Sequence, residues 1–237
     1  MRFGILGDAK IAREKLVPAL RRAGCDIVHL GRRDELASVS DDIWQGVKTG
    51  SYEDVLADPK VEAVYIPLPN HLHVPWSVRA MEAGKAVLCE KPMALNLKDA
   101  RAMIEVSKQM KKTLLIVNNF RWDYLNPSIF QLKSMIDSGW FGRIYHIRLN
   151  RIRSKTFPFN DYSRWNLDSR LSGGGVLIDL GPHMIDLGMW LASEYRVNAV
   201  LGSTDQGLLK LEKIDDFASG IIKPVSYTHL TLPTKDG

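Results

Sequence analysis

The sequence predicts an α/β fold, a doubly wound parallel sheet, followed by an incomplete α+β second domain on a mixed or antiparallel sheet. Three observations carry this. Over the first half, short and almost wholly apolar runs alternate with amphipathic stretches, the pattern of parallel strands covered on both faces. Further on, an alternation of period two appears instead, as in a strand with one buried face. The chain also has 237 residues, more than an ordinary single domain, so two modest domains are expected.

The elements follow in order. Residues 2–7 (RFGILG) form an apolar run ending in Gly, suited to a buried parallel strand. The segment AKIAREKLVPALRRAG has helical spacing at Ile11, Leu16, Ala19 and Leu20 and closes at Gly24. CDIVHLG is the next strand, and after a less regular stretch VEAVYIPLP (61–69) is the third. HVPWSVRAMEAGK predicts a helix closed at Gly84, and AVLCEKP another strand. Asn96 is placed to cap the helix LKDARAMIEVSKQMKK, with Asp99 favouring its start, and LLIVNN (114–119) ends the series. A Rossmann-type domain is therefore expected over residues 1–119.

A partial α+β domain, for substrate and oligomerisation, is expected over 120–224. NPSIFQLKSMIDSGWFG reads as a helix closed at Gly139, and RIYHIRLNRIR as a half-buried strand. An aromatic, polar loop (157–172) leads to Gly173–Gly175 and the apolar helix VLIDLGPHMIDLGMWLA, where Pro182 should kink the helix or sit near its first turn. YRVNAVLG and DDFASGIIK predict two more strands. Residues 225–237 are set apart: VSYTHLTLPT resembles the read-through of a transposase sequencing adaptor, and this tail is expected to be non-native and outside the fold.

Composition narrows the function classes. With 45% apolar and 25% charged residues, the chain is neither disordered nor fibrous. No apolar run is long enough to span a bilayer, so a soluble protein without membrane attachment is expected. The 32 basic residues exceed the 27 acidic ones only mildly and are scattered, which argues against nucleic acid. Cys25 and Cys89 lie in apolar segments and read as free thiols of a reducing compartment, hence a cytoplasmic protein. No metal-ligand spacing is present.

Four segments can carry chemistry. In Gly7-Asp8-Ala9-Lys10-Ile11-Ala12, small residues stand where a dinucleotide turn needs them: Gly7 for the tight turn, Ala9 for close approach of the pyrophosphate, Ala12 for helix–strand packing. The helix start supplies N–H groups for the phosphates, and Lys10 and Ile11 lie within it. After the second strand stands Gly31-Arg32-Arg33 in place of an acidic residue. A carboxylate would repel a 2′-phosphate, whereas Arg32 and Arg33 would clamp it, which favours NADP and leaves NAD possible. Pro69-Asn70-His71-Leu72-His73 and Glu90-Lys91-Pro92 end two adjacent strands at the carboxyl edge, where open α/β sheets bind ligands, and a cis Lys-Pro bond is possible there. Finally, Gly173–Gly175 could bare its backbone to a flat ligand, while Asp179 and His183, four apart, share a helix face. An imidazole oriented by a carboxylate is a proton acceptor at neutral pH.

Together, GILGDAKIA, PNHLH, CEKPMALN, GGGVLIDLGPHMID and DDFASGIIK resemble the Gfo/Idh/MocA family of NAD(P)-dependent oxidoreductases, over essentially everything before residue 224. The resemblance implies that Lys91 contacts the substrate oxygen and helps position the nicotinamide. It makes His183 the acid/base and Asp179 a neighbouring substrate-site carboxylate, and it places Trp165 near the nicotinamide. The cofactor-binding set is then Gly7, Ala9, Lys10, Ile11, Ala12, Arg32, Arg33, Pro69, Asn70, His73, Glu90, Lys91 and Trp165. Hydride transfer between NADP (or NAD) and a sugar, cyclitol or dihydrodiol is implied, with Lys91 and His183 meeting across one bound pyridine ring. An NAD-dependent glycosidase of the same fold and a non-catalytic dinucleotide-sensing regulator are the alternatives.

Three departures bear on this. Asn166 stands where sugar-active members usually carry Arg, and Asn119-Phe120-Arg121-Trp122-Asp123-Tyr124 is not the commonest family form. Further strands and a late helix are missing after Lys223, so the chain is expected to be a fragment, poorly soluble or cofactor-binding but inactive. The full-length form is expected to be a homo-oligomer.

Overall fold

A computed structural model describes residues 1–34, 42–119, 128–153, 165–207, 213–225 and 229–236. The chain divides into two compact units, Met1–Val117 and Asn118–Gly237.

The first unit is a six-stranded, all-parallel sheet in the order β3-β2-β1-β4-β5-β6, formed by β1 (Arg2–Leu6), β2 (Asp26–Gly31), β3 (Lys48–Gly50), β4 (Ala63–Ile66), β5 (Ala86–Glu90) and β6 (Leu114–Val117). Its helices are α1 (Val17–Arg22), α2 (Tyr52–Ala57), α3 (His73–Glu82) and α4 (Leu97–Met110). Successive residues of β1 and β4 serve opposite faces. Phe3, Ile5, Ala63 and Tyr65 join a core with Val17, Leu30 and Trp44, while Leu6, Val64 and Ile66 join Val55, Met81 and Met103. Burial on both faces is why these strands read as unbroken apolar runs, each large side chain contributing about 1.5–3 kcal/mol.

Two details depart from the sequence reading. The helix after β1 opens as a π-helical turn, Ala12–Leu16, before α1 begins with Pro18 in its first turn. The less regular stretch holds β3 and α2. Ser51 caps α2 by accepting the Asp54 N–H at 3.0 Å, while the Asp54 carboxylate accepts the Ser51 N–H at 2.9 Å. Asn96 caps α4 as expected, its Oδ1 accepting the Asp99 N–H at 2.9 Å.

The second unit holds a mixed five-stranded sheet made of β7 (His146–Arg148), β8 (Arg151–Arg153), β9 (Val197–Asp205), β10 (Phe217–Pro224) and β11 (His229–Asp236). Among its described residues are the helices α5 (Ser128–Asp137), α6 (Ser169–Ser172), α7 (Val176–Asp179) and α8 (Gly181–Ala192). β10 pairs antiparallel with β9 and β11, and β11 pairs parallel with β7 and β8. Residues 229–236, expected to lie outside the fold, thus form a strand at the centre of the sheet. The alternation of Leu with Thr or His in HLTLPT is itself a strand period, which the adaptor resemblance overrode. The long apolar helix is two helices meeting at Leu180, with Pro182 in the first turn of α8. β9 is exposed along its whole length, Val200 and Leu201 included.

Candidate active site

In the first unit the carboxyl ends of β1, β2, β4 and β5 bring four loops to one sheet edge. The turn after β1 is anchored where the Gly7 N–H donates to the Gly31 carbonyl at 2.9 Å. Gly7 has φ +108°, and a Cβ there would meet Leu68 Cδ2 at 2.9 Å, so only glycine fits. Ala12 is fully buried beneath the turn. Arg13 N–H to Ala9 C=O, 3.1 Å, is the first rung of the helix, so the amides ahead of it have no acceptor within the helix and face the turn. Asp8 is unexpected in a phosphate-binding turn, and the fold neutralises it. Its Oδ1 accepts from Arg13 Nη1 and Trp44 Nε1, each at 2.9 Å. Lys10 and Ile11 are exposed on the same turn.

The two arginines after β2 are not equivalent. Arg32 is 9% exposed, and its backbone N–H donates to the Gly50 carbonyl; Arg33 is exposed. The Arg33 guanidinium donates to the hydroxyl of Tyr52, the first residue of α2, a phenol whose pKa burial pushes up. Tyr52 Oη lies 3.9 Å from where a Gly7 Cβ would be, so phenol, guanidinium and glycine turn share one corner. Of the two side chains, Arg33 with Tyr52 is therefore the one presented at this corner, and Arg32 is mostly packed away. Tyr52 escaped the sequence reading, although the Ser51-x-x-Asp54 capping signature marks its helix start.

Asn70 is buried in a 3₁₀ turn, Asn70–Leu72, that leads into α3. His73, expected to touch the cofactor, is fully buried, with both ring nitrogens on backbone carbonyls. It has no polar atom left to offer a ligand. Glu90 is held by Tyr65, whose hydroxyl donates to its Oε1 at 2.6 Å, and burial raises the carboxyl's pKa. Lys91 follows, half-buried, with a cis bond to Pro92. Behind it, Cys89 is a free, fully buried thiol pushed up to about 12 by desolvation. Desolvation there outweighs the hydrogen bond with Ser77 that favours the thiolate.

In the second unit Trp165 opens a 3₁₀ turn (Trp165–Leu167) and is 39% exposed. Asp179 is exposed at the end of α7, and His183 is 6% exposed in the first turn of α8. The glycine run has another use than the one expected. A Cβ on Gly175 would lie 1.8 Å from the Asp215 carbonyl oxygen. The Asp215 carboxylate also accepts the N–H groups of Gly175 and Leu177, both at 2.7 Å. At Gly175 the space beside the bare backbone is filled by the chain itself. Residues 120–124 of the pocket segment lie outside the described residues. Among the described residues no cluster of metal-binding side chains occurs, and no helix is long and apolar enough to cross a membrane.

Comparison with known proteins settles the family. Residues 1–119 match the model of an oxidoreductase family with an NAD-binding Rossmann fold, and residues 129–232 match the GFO/IDH/MocA C-terminal domain. The chain belongs to the Gfo/Idh/MocA oxidoreductase family. It is 30% identical to a 1,5-anhydro-D-fructose reductase of Ensifer adhaerens over 93% of this chain and 67% of that protein. Identity to a D-xylose 1-dehydrogenase (NADP(+)) of Haloferax volcanii is 35%, over 86% of this chain and 61% of that protein. The crystal structure of the WlbA dehydrogenase of Chromobacterium violaceum with NADH and UDP-GlcNAcA superposes with a TM-score of 0.86 at 25% identity, over 99% of this chain and 67% of that one. The chain spans about half to two thirds of the length of the first such relatives. The mixed second sheet and the parallel first one agree with the fold class read from the sequence.

Proposed function

We propose that the protein is a dehydrogenase or reductase that moves a hydride between NADP(H) and a hydroxyl or carbonyl of a sugar or polyol. The observation that carries this is the shared edge of the first sheet, where the ends of β1, β2, β3 and β5 set the Gly7 turn, the Arg33–Tyr52 pair and Lys91. The cofactor's chemistry, when bound, is to accept or release a hydride at its nicotinamide ring. The protein's own residues do the rest. The amides of the Gly7 turn hold phosphate, and Arg33 with Tyr52 holds the 2′-phosphate. Lys91 supplies an ammonium to the substrate oxygen. It stabilises negative charge there as the alcohol C–H bond breaks and the C=O bond forms, a role worth roughly 10²–10³-fold in rate. By family resemblance His183 takes the hydroxyl proton, Asp179 lines the substrate side and Trp165 flanks the ring. A cytoplasmic setting and homo-oligomeric assembly belong to the same reading.

The deciding experiment is Lys91→Ala. Turnover of sugars and polyols should vanish while NADP(H) binding, followed by fluorescence of Trp44 and Trp76, survives. Near-normal turnover would remove Lys91 from the reaction.

A further inference from the structure

His73 begins α3 and has no exposed surface. Its Nδ1 lies 2.7 Å from the Pro92 carbonyl oxygen and its Nε2 2.7 Å from that of Leu68. A carbonyl oxygen only accepts, so each contact calls for an N–H on the ring. Neutral imidazole has one. With a single proton, the other nitrogen would press its lone pair against an oxygen lone pair at a separation below the usual N–H···O distance. Both contacts are satisfied together only by the imidazolium.

The two carbonyls belong to the loops that matter. Pro92 follows Lys91 directly. Leu68 opens the turn that carries Asn70, and its side chain fills the space a Cβ on Gly7 would need. One ring therefore ties the Lys91 loop to the turn that abuts the dinucleotide turn.

We propose that His73 is a positioning residue, a protonated cross-tie that fixes the Lys91 backbone against the Leu68–Leu72 turn and thereby aims the Lys91 ammonium. The proposal rests on Lys91 serving the reaction as described above. Two short charge-assisted bonds favour the cation. Burial opposes it most strongly and, with the positive charge of Lys91 on the same loop and of His71 in the turn, holds the ring's pKa below the ordinary 6.5 although the two carbonyls pull it upward. The tie is thus held by a proton that rising pH removes, releasing one loop.

The primary test is nuclear magnetic resonance of the protein labelled with ¹⁵N-histidine, with the His73 signals identified by their loss in His73→Asn. Protons on both ring nitrogens are expected on the acid side of a titration between about pH 8 and 5, one of them being lost as pH rises. One protonated and one bare nitrogen throughout that range would overturn the proposal. Kinetics supply the second arm. His73→Leu should lower kcat by about tenfold or more, since an ångström of misplacement is costly, with cofactor affinity changed far less. His73→Gln, a neutral side chain with two N–H donors, should recover most of kcat and lose the alkaline fall of the wild-type profile. An unchanged kcat and pH profile in His73→Leu would also overturn it. If Lys91→Ala remains active while His73 carries two protons, the catalytic reading of Lys91 fails and the cross-tie stands.

Discussion

Two glycine turns, one in each unit, look alike in sequence and do opposite things. At Gly7 the forbidden volume is the tip of a leucine side chain, Leu68 Cδ2. At Gly175 it is backbone, the Asp215 carbonyl at 1.8 Å from a would-be Cβ. A glycine run reports that something comes close; only the fold says whether that is a ligand or another stretch of the same chain. The second turn is therefore a structural joint, and the first is left to serve as the binding element proposed above.

The sharpest way to break this contrast is Gly175→Ala. Backbone cannot yield as a side chain does, so the joint must open and the two Asp215 bonds go with it. A loss of about 3 kcal/mol or more in urea unfolding is expected, with NADP(H) affinity of the first unit unchanged. Gly7→Ala should do the reverse. The strain of a left-handed alanine costs about 1–3 kcal/mol, and cofactor binding should fall beyond detection in a fluorescence titration. If Gly175→Ala abolished binding and left stability intact, the assignment of the two turns would be inverted.

Smaller effects sharpen it. Asp215→Asn keeps the shape but weakens two charge-assisted acceptors, so the second unit should lose about 1.5–3 kcal/mol, read from the same unfolding curves. Arg33→Ala should weaken NADP(H) about tenfold, leaving NAD(H) within a factor of two. Arg32→Ala should not discriminate between the two nucleotides, because that side chain is mostly buried. Isothermal titration with both nucleotides checks this. Equal losses from the two arginines would restore the paired clamp expected from the sequence.

How legible was all this beforehand? The parallel sheet was, because burial on both faces writes itself as unbroken apolar strands. So were the helix ends at Gly24, Gly84 and Gly139, all of which have positive φ. The edge loops were legible as places, since strand ends announce themselves. Their partners were not. Nothing local says that Asp8 will be met by Trp44, 36 residues on, or Gly175 by Asp215, 40 residues on. The same holds for His73: a histidine that touches a cofactor and one whose ring lies between two backbone carbonyls have the same sequence. The strand at His229–Asp236 is written only as a short alternation of Leu with His or Thr, a weak signal beside the adaptor resemblance.

Acid gives the smallest and most selective distinction. His29 on β2 is as buried as His73, but its needs differ. Its Nδ1 donates to Asp58 Oδ2 at 3.0 Å, while its Nε2 has no partner among the described residues, so one proton suffices and the ring is neutral. Desolvation is the main cause that lowers its pKa below the ordinary 6.5, and Lys48 adds to it. The unfolded chain therefore takes up this proton first as pH falls. Stability from His29 is complete above about 6.5 and declines below it, toward the lowered native value, by at most about 1.4 kcal/mol per pH unit. The first unit, followed through Trp44 and Trp76, should thus unfold at progressively lower urea between pH 6.5 and 5. His29→Gln should flatten that dependence, having no proton to gain. A slope that survives this substitution would move the acid sensitivity elsewhere. A ¹⁵N-histidine spectrum showing two protonated nitrogens at His29 would erase the contrast between the two buried rings.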